Sequence, residues 1–65
     1  MPSSVIKSLH YDSYSHTLRI AFVSGSTYDF ENVPETTYQL LKNSGSMGTF
    51  FNQKIKQKYK YKKVN

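Results

Sequence analysis

Apolar and polar residues alternate along the first half of the chain. Over Thr17 to Phe22, Leu18, Ile20 and Phe22 fall on one side and Thr17, Arg19 and Ala21 on the other. Over Thr27 to Glu31, Tyr28 and Phe30 separate from Thr27, Asp29 and Glu31 in the same way. A period of two predicts strands with one buried face, hence an antiparallel sheet. Residues 5–11, VIKSLHY, are rich in β-branched and aromatic side chains and predict a strand ahead of these two. The segment VSGST between the alternating runs predicts a hairpin. A three-residue loop of Ser24, Gly25 and Ser26 sets Phe22 opposite Tyr28, Ile20 opposite Phe30 and Arg19 opposite Glu31. That register keeps both apolar sets on one face, whereas a one-residue slip would reverse every side chain. The left-handed loop position falls close to Gly25.

The period then changes. Residues 33–45 place Tyr38, Leu40 and Leu41 at helical spacing. Pro34 suits a first helical position, Glu35 the positive end of the dipole, and Gly45 a C-terminal stop. A second helix is predicted from an N-cap at Ser46, with Phe51, Ile55 and Tyr59 on one stripe, running to about Lys58. The alternation of lysines with Ile55, Gln57, Tyr59 and Tyr61 offers a strand instead, but Phe50-Phe51-Asn52-Gln53 breaks it. Residues 59–65 are therefore read as an extended, partly frayed end. The fold expected is α+β: a three-stranded antiparallel sheet followed by two helices packed on one face, in a single domain over residues 1–65.

Size sharpens this picture. A chain of 65 residues buries only about 60% of its unfolded surface, so its stability is marginal. It has no cysteine, which removes disulfides and Cys-based zinc sites. Six Tyr and four Phe must supply the core. No apolar run is long enough for a membrane span or a signal peptide, so no membrane role is expected and the cytoplasm is the default compartment. Charge is lopsided within a net +5. Residues 1–35 hold Lys7 and Arg19 against Asp12, Asp29, Glu31 and Glu35. Residues 36–65 hold Lys42, Lys54, Lys56, Lys58, Lys60, Lys62 and Lys63 and no acid. Such asymmetry points to a polyanionic partner, or to charge that keeps a small protein in solution.

Tyr28-Asp29-Phe30, Val33-Pro34, and Ser46-Met47-Gly48-Thr49-Phe50-Phe51-Asn52 followed by Ile55 and Tyr59 form an ordered set. Together they make the chain resemble the KTSC domain, a family found at the C-terminus of some lysyl-tRNA synthetases and as small free-standing bacterial and phage proteins. The resemblance runs from about Ser4 to Val64 and implies RNA binding through the synthetase context. Phe30 stands where the family has a second tyrosine, and Lys56 where it has arginine after the helix isoleucine. The second change weakens any bidentate phosphate contact.

His10, Asp12 and His16 would have to converge at fixed geometry to hold a metal, and turn chemistry accounts for all three more simply. No nucleophile elbow, Walker loop or dinucleotide fingerprint is present, so neither an enzyme nor a cofactor is expected. Ser46 and Gly48 lie where a helix start could attract a phosphate. Tyr28 and Phe30 could stack on bases but share a face with Leu18, Ile20 and Phe22, which assigns them to the core. On a helical wheel Phe50, Lys54 and Lys58 form one column beside the buried stripe, with Lys56 and Lys60 nearly opposite. Phe50 is thus an aromatic beside two lysines, suited to stacking on a base. The function expected is noncatalytic nucleic-acid binding, RNA above all, through Lys54, Lys56, Lys58, Lys60, Lys62, Lys63 and Phe50. The alternative is a protein-interaction module, such as a small bacterial or phage regulator that binds a host protein.

Overall fold

The computed structural model describes residues 6–64. Val5, expected in the first strand, and Asn65, the last residue of the expected extended end, lie outside the described residues. Strand β1 spans Ile6–Asp12, β2 Thr17–Phe22 and β3 Thr27–Phe30. Helix α1 spans Glu35–Lys42 and α2 Met47–Phe50, which runs directly into a π-helical turn over Phe51–Ile55. Strand β4, Tyr61–Lys63, closes the order. The sheet is antiparallel, β1-β2-β3-β4, with the helices inserted between β3 and β4.

The fold is α+β as expected, but among the described residues the sheet has four strands and not three. Residues 60–64 are not a frayed end. The Glu31 amide donates to the Lys60 carbonyl at 2.8 Å, and the Val64 amide donates to the Thr27 carbonyl at 2.8 Å. Between them Phe30 pairs with Tyr61, Asp29 with Lys62 and Tyr28 with Lys63. The lysine alternation of this segment extends upstream into helical residues, so it does not by itself set off these three as a strand. The exposed edge of β3 supplies the backbone partners that make them a strand.

The hairpin register is also displaced. Phe22 closes the loop with Ser26, through amide-to-carbonyl bonds of 2.8 Å from Phe22 to Ser26 and 2.9 Å from Gly25 to Phe22. The loop is therefore Val23, Ser24 and Gly25. Ile20 faces Tyr28 and Arg19 faces Asp29, in place of the expected Phe30 and Glu31. Glycine takes the last place in such a loop, where the chain turns left-handed, and Gly25 has φ +103°. The displacement is two residues, so every side chain stays on its expected face.

Both helices cover the same face of the sheet. Tyr11 of β1 stacks on Tyr38 of α1 with ring centroids 4.9 Å apart, and its hydroxyl donates to the Val33 carbonyl at 2.6 Å. Phe51 meets Phe22 and Phe30 edge-on at 5.3 and 5.4 Å. The core is Leu18, Ile20, Phe22, Phe30, Val33, Leu41, Phe51 and Ile55. The expected stripe holds for Phe51 and Ile55, which are buried, while Tyr59 is half-buried beside Thr37, its hydroxyl 3.3 Å from Oγ1. The second helix does not run to Lys58 as a regular α-helix. The Lys56 amide bonds to the Phe51 carbonyl five residues back at 2.9 Å, and a turn follows.

Candidate nucleic-acid interface

Among the described residues, no helix covers the opposite face of the sheet. By register, His10, Arg19, Asp29 and Lys62 form a row across all four strands there. Arg19 grips Asp29 with two bonds, Nε to Oδ1 at 2.7 Å and a second guanidinium nitrogen to Oδ2 at 3.0 Å. This holds the Asp29 carboxyl below the usual carboxylate range, and the charge of Lys62 adds to the effect. The one arginine of the chain is thus occupied by an acid, and Lys62 lies next to that same acid.

The helix-bearing face differs. Phe51 seals the centre against Phe22 and Phe30, and beside it the packing opens between the π-helical turn and strands β3 and β4. There Tyr28, Tyr61, Phe51, Ser26, Lys56 and Gln57 line a groove of about 460 Å³. Tyr61 packs against Tyr28 and Phe30, with ring centroids at 5.3 and 5.4 Å, yet remains 55% exposed. Lys63 pairs with Tyr28 and so shares this face.

The expected phosphate contacts therefore do not lie together. Lys56 lines the groove, Lys63 sits on the same face, and Lys62 faces the other way across Asp29. Lys58 reaches over the Tyr59 ring, Nζ 5.9 Å from its centroid, on the side of α1. Lys54 is exposed on the π-helical turn, and Lys60 is exposed just ahead of β4. The lysines are thus spread over both faces of the sheet and the turns beside it, and the backbone of the segment is tied to β3 at Lys60 and Val64.

Phe50 is half-buried and packs against the core. Ser46 is the N-cap of α2, as its sequence position implied. Its Oγ accepts from the Thr49 amide at 3.4 Å and donates to the Thr49 hydroxyl at 3.0 Å. Gly48 is half-buried in the one turn that follows. In the first hairpin Asp12 Oδ1 accepts from the Tyr14 amide at 2.9 Å, and His16 adopts φ +57°. Both serve the turn.

Sequence reasoning assigned Tyr28 wholly to the core and overlooked Tyr61. Phe30 is indeed buried at 2% exposure, but Tyr28 is only half-buried. The one available signal was the alternation of lysine with tyrosine over residues 58–62, which marks an edge strand with a wet side.

The KTSC domain model matches residues 2–59. A lysine–tRNA ligase of Trichormus variabilis is 40% identical over 62 residues, 95% of this chain and 11% of the ligase. An uncharacterised protein of Stutzerimonas stutzeri is 38% identical over 66 residues, covering 100% of this chain and 93% of that protein. The crystal structure of a KTSC domain protein from Yersinia pestis superposes with a TM-score of 0.88 at 36% identity, over 100% of this chain and 92% of that one. The chain thus spans about a tenth of the ligases it matches and nearly the whole length of the small relatives. With the family's residues matched along nearly all of the chain and its fold reproduced, the chain belongs to the KTSC domain family.

Proposed function

We propose that this domain is a noncatalytic module that binds single-stranded RNA through the lysines of its C-terminal segment. The observation that carries the reading is the fixation of that segment. Residues 54–63 bear six lysines and no acid, and the bonds from Glu31 to Lys60 and from Val64 to Thr27 tie the segment's backbone to the sheet. A solvated tail would spread its charge over many conformers. Here the backbone of the segment is tied to β3, which lowers the cost of ordering its lysines on a phosphate chain. The relatives lend support, since the chain matches part of an enzyme named as a tRNA ligase. Such a role belongs in the cytoplasm, where no membrane span is needed. Among the described residues no helix is long and apolar enough to cross a membrane.

Fluorescence anisotropy of a labelled single-stranded oligonucleotide tests the reading. At low salt the domain binds it, and replacing Lys54, Lys56, Lys58 and Lys60 together by Gln abolishes most of the signal. An anisotropy that the parent leaves unchanged at low salt would remove RNA as the partner and favour a protein.

A further inference from the structure

The geometry points to the groove at the β3–β4 edge as a seat for one unpaired nucleobase, with Lys56 holding the adjoining phosphate. This rests on the RNA-binding reading above and specifies where a base, as opposed to the backbone, is held.

Three features lead there. The first is size and shape: about 460 Å³ lies within the range of small-molecule sites and leaves room for little more than one nucleotide. The second is aromatic surface that the fold has set and left open. Tyr28 is pinned edge-on between Phe22, at 5.9 Å, and Tyr61, at 5.3 Å. Tyr61 is fixed by Tyr28 and Phe30 and by its strand, yet more than half of it meets water. A chain this short needs its aromatics in the core, so a rigid, half-exposed tyrosine beside a groove is a costly placement. A flat ring held in this way stacks on any base with little ordering penalty.

The third feature is charge. Lys56 is the ionic group among the groove's lining residues, which include no acid, and Lys63 extends on the same face beside Tyr28. The remaining polar lining is hydroxyl and amide, as at Ser26 and Gln57. Aromatic wall, neutral polar groups and a cation at the mouth match a base joined to a phosphate. An acidic peptide would use the cation but not the rings. A paired base cannot present its face to a side wall, so the occupant is single-stranded. Among the described residues the Arg19–Asp29 face fits less well: its ring is the His10 imidazole and not a tyrosine, and its cations Arg19 and Lys62 stand beside the Asp29 carboxylate.

The test compares two polyanions, oligouridine of about 12 nucleotides and inorganic polyphosphate of similar charge. Tyr61→Leu keeps an apolar side chain on β4 and removes the ring. It should weaken oligouridine binding by about 5- to 150-fold, the range for loss of one stacked ring. Polyphosphate binding should stay within about two-fold, and the salt dependence of both should be unchanged. Lys56→Gln should flatten the salt slope for oligouridine by about 0.7. In the parent, ring-proton NMR signals of Tyr28 and Tyr61 should move with oligouridine and stay still with polyphosphate, which decides the matter even if the leucine variant fails to fold. Oligouridine bound equally well by parent and Tyr61→Leu, with still tyrosine signals, would overturn the base seat and leave RNA binding standing. Equal weakening toward both polyanions would do the same. A parent that binds no oligouridine at low salt would overturn both readings.

Discussion

Arg19 and Asp29 hold each other at the centre of the uncovered face, and their pairing shows how one residue's charge can be used up by the fold. The Asp29 carboxyl titrates below its unfolded value near 4 because the Arg19 guanidinium donates to it. A depressed acid stabilises the fold fully above the unfolded value and loses that contribution as the pH falls through the folded one. Asp29→Asn should therefore make the fall in melting temperature between about pH 5 and pH 2 shallower than in the parent. Asp12, also lowered by the Tyr14 amide it accepts, keeps part of the acid dependence in place. At neutral pH the loss should stay below about 1 kcal/mol, since the arginine side chain is 53% exposed and water screens the pair. Melting curves of parent and variant that fall in parallel with acid would contradict this. Lys62 and Lys63 teach the same lesson. They are neighbours in the sequence and were expected to act together, yet the pleat sends them to opposite faces, one toward Asp29 and the other beside Tyr28. Composition announces a basic segment, but only the pairing with β3 decides which lysines share a surface.

The hairpin was legible in its faces but not in its register. Alternation determines which side chains point inward, and a two-residue displacement leaves that unchanged. Only the place of glycine in the loop distinguishes the two pairings. Gly25 has φ +103° with open space where a Cβ would stand, so Gly25→Ala should cost about 1–2 kcal/mol through the backbone alone. Urea unfolding measures it, and an alanine variant as stable as the parent would mean the loop is not built on that conformation. The second helix was legible in its stripe but not in its course. Phe51 and Ile55 are buried as their spacing requires, while the turn between them widens to the π form. Phe51 closes over Phe22 and Phe30, so Phe51→Ala should cost about 3–5 kcal/mol and unfold much of the population at room temperature. Thermal unfolding would show it. A parent-like melting point would mean the π-helical turn does not seal the core. Strand β4 was the element least legible. It is defined by hydrogen bonds to Thr27 and Glu31, and the alternation that marks it runs back through Lys56 to Ile55, where the chain is helical, so it does not show where the strand begins.

Across the whole molecule, the fold sorts two surfaces that the charge count alone cannot separate. The bare sheet face neutralises its arginine within itself, while the helix-bearing face sets Lys56 and Lys63 beside Tyr28 and Tyr61. The aromatic content demanded by a short chain without cysteine is thus divided: Phe22, Phe30 and Phe51 make the core, and Tyr28 and Tyr61 meet solvent at its margin. The central claim is that the fixed lysines neutralise RNA phosphates, and the salt dependence of affinity measures that most directly. Each phosphate contact with a single strand contributes about −0.7 to the slope of log affinity against log salt. The parent should give a slope of about −2 to −4, from three to six contacts, and replacing Lys54, Lys56 and Lys58 by Gln should flatten it by about two. The melting temperature should not fall, because those ammonium groups are exposed. A slope that the triple change leaves as it was, or binding to RNA that does not weaken between about 50 and 200 mM salt, would contradict the account.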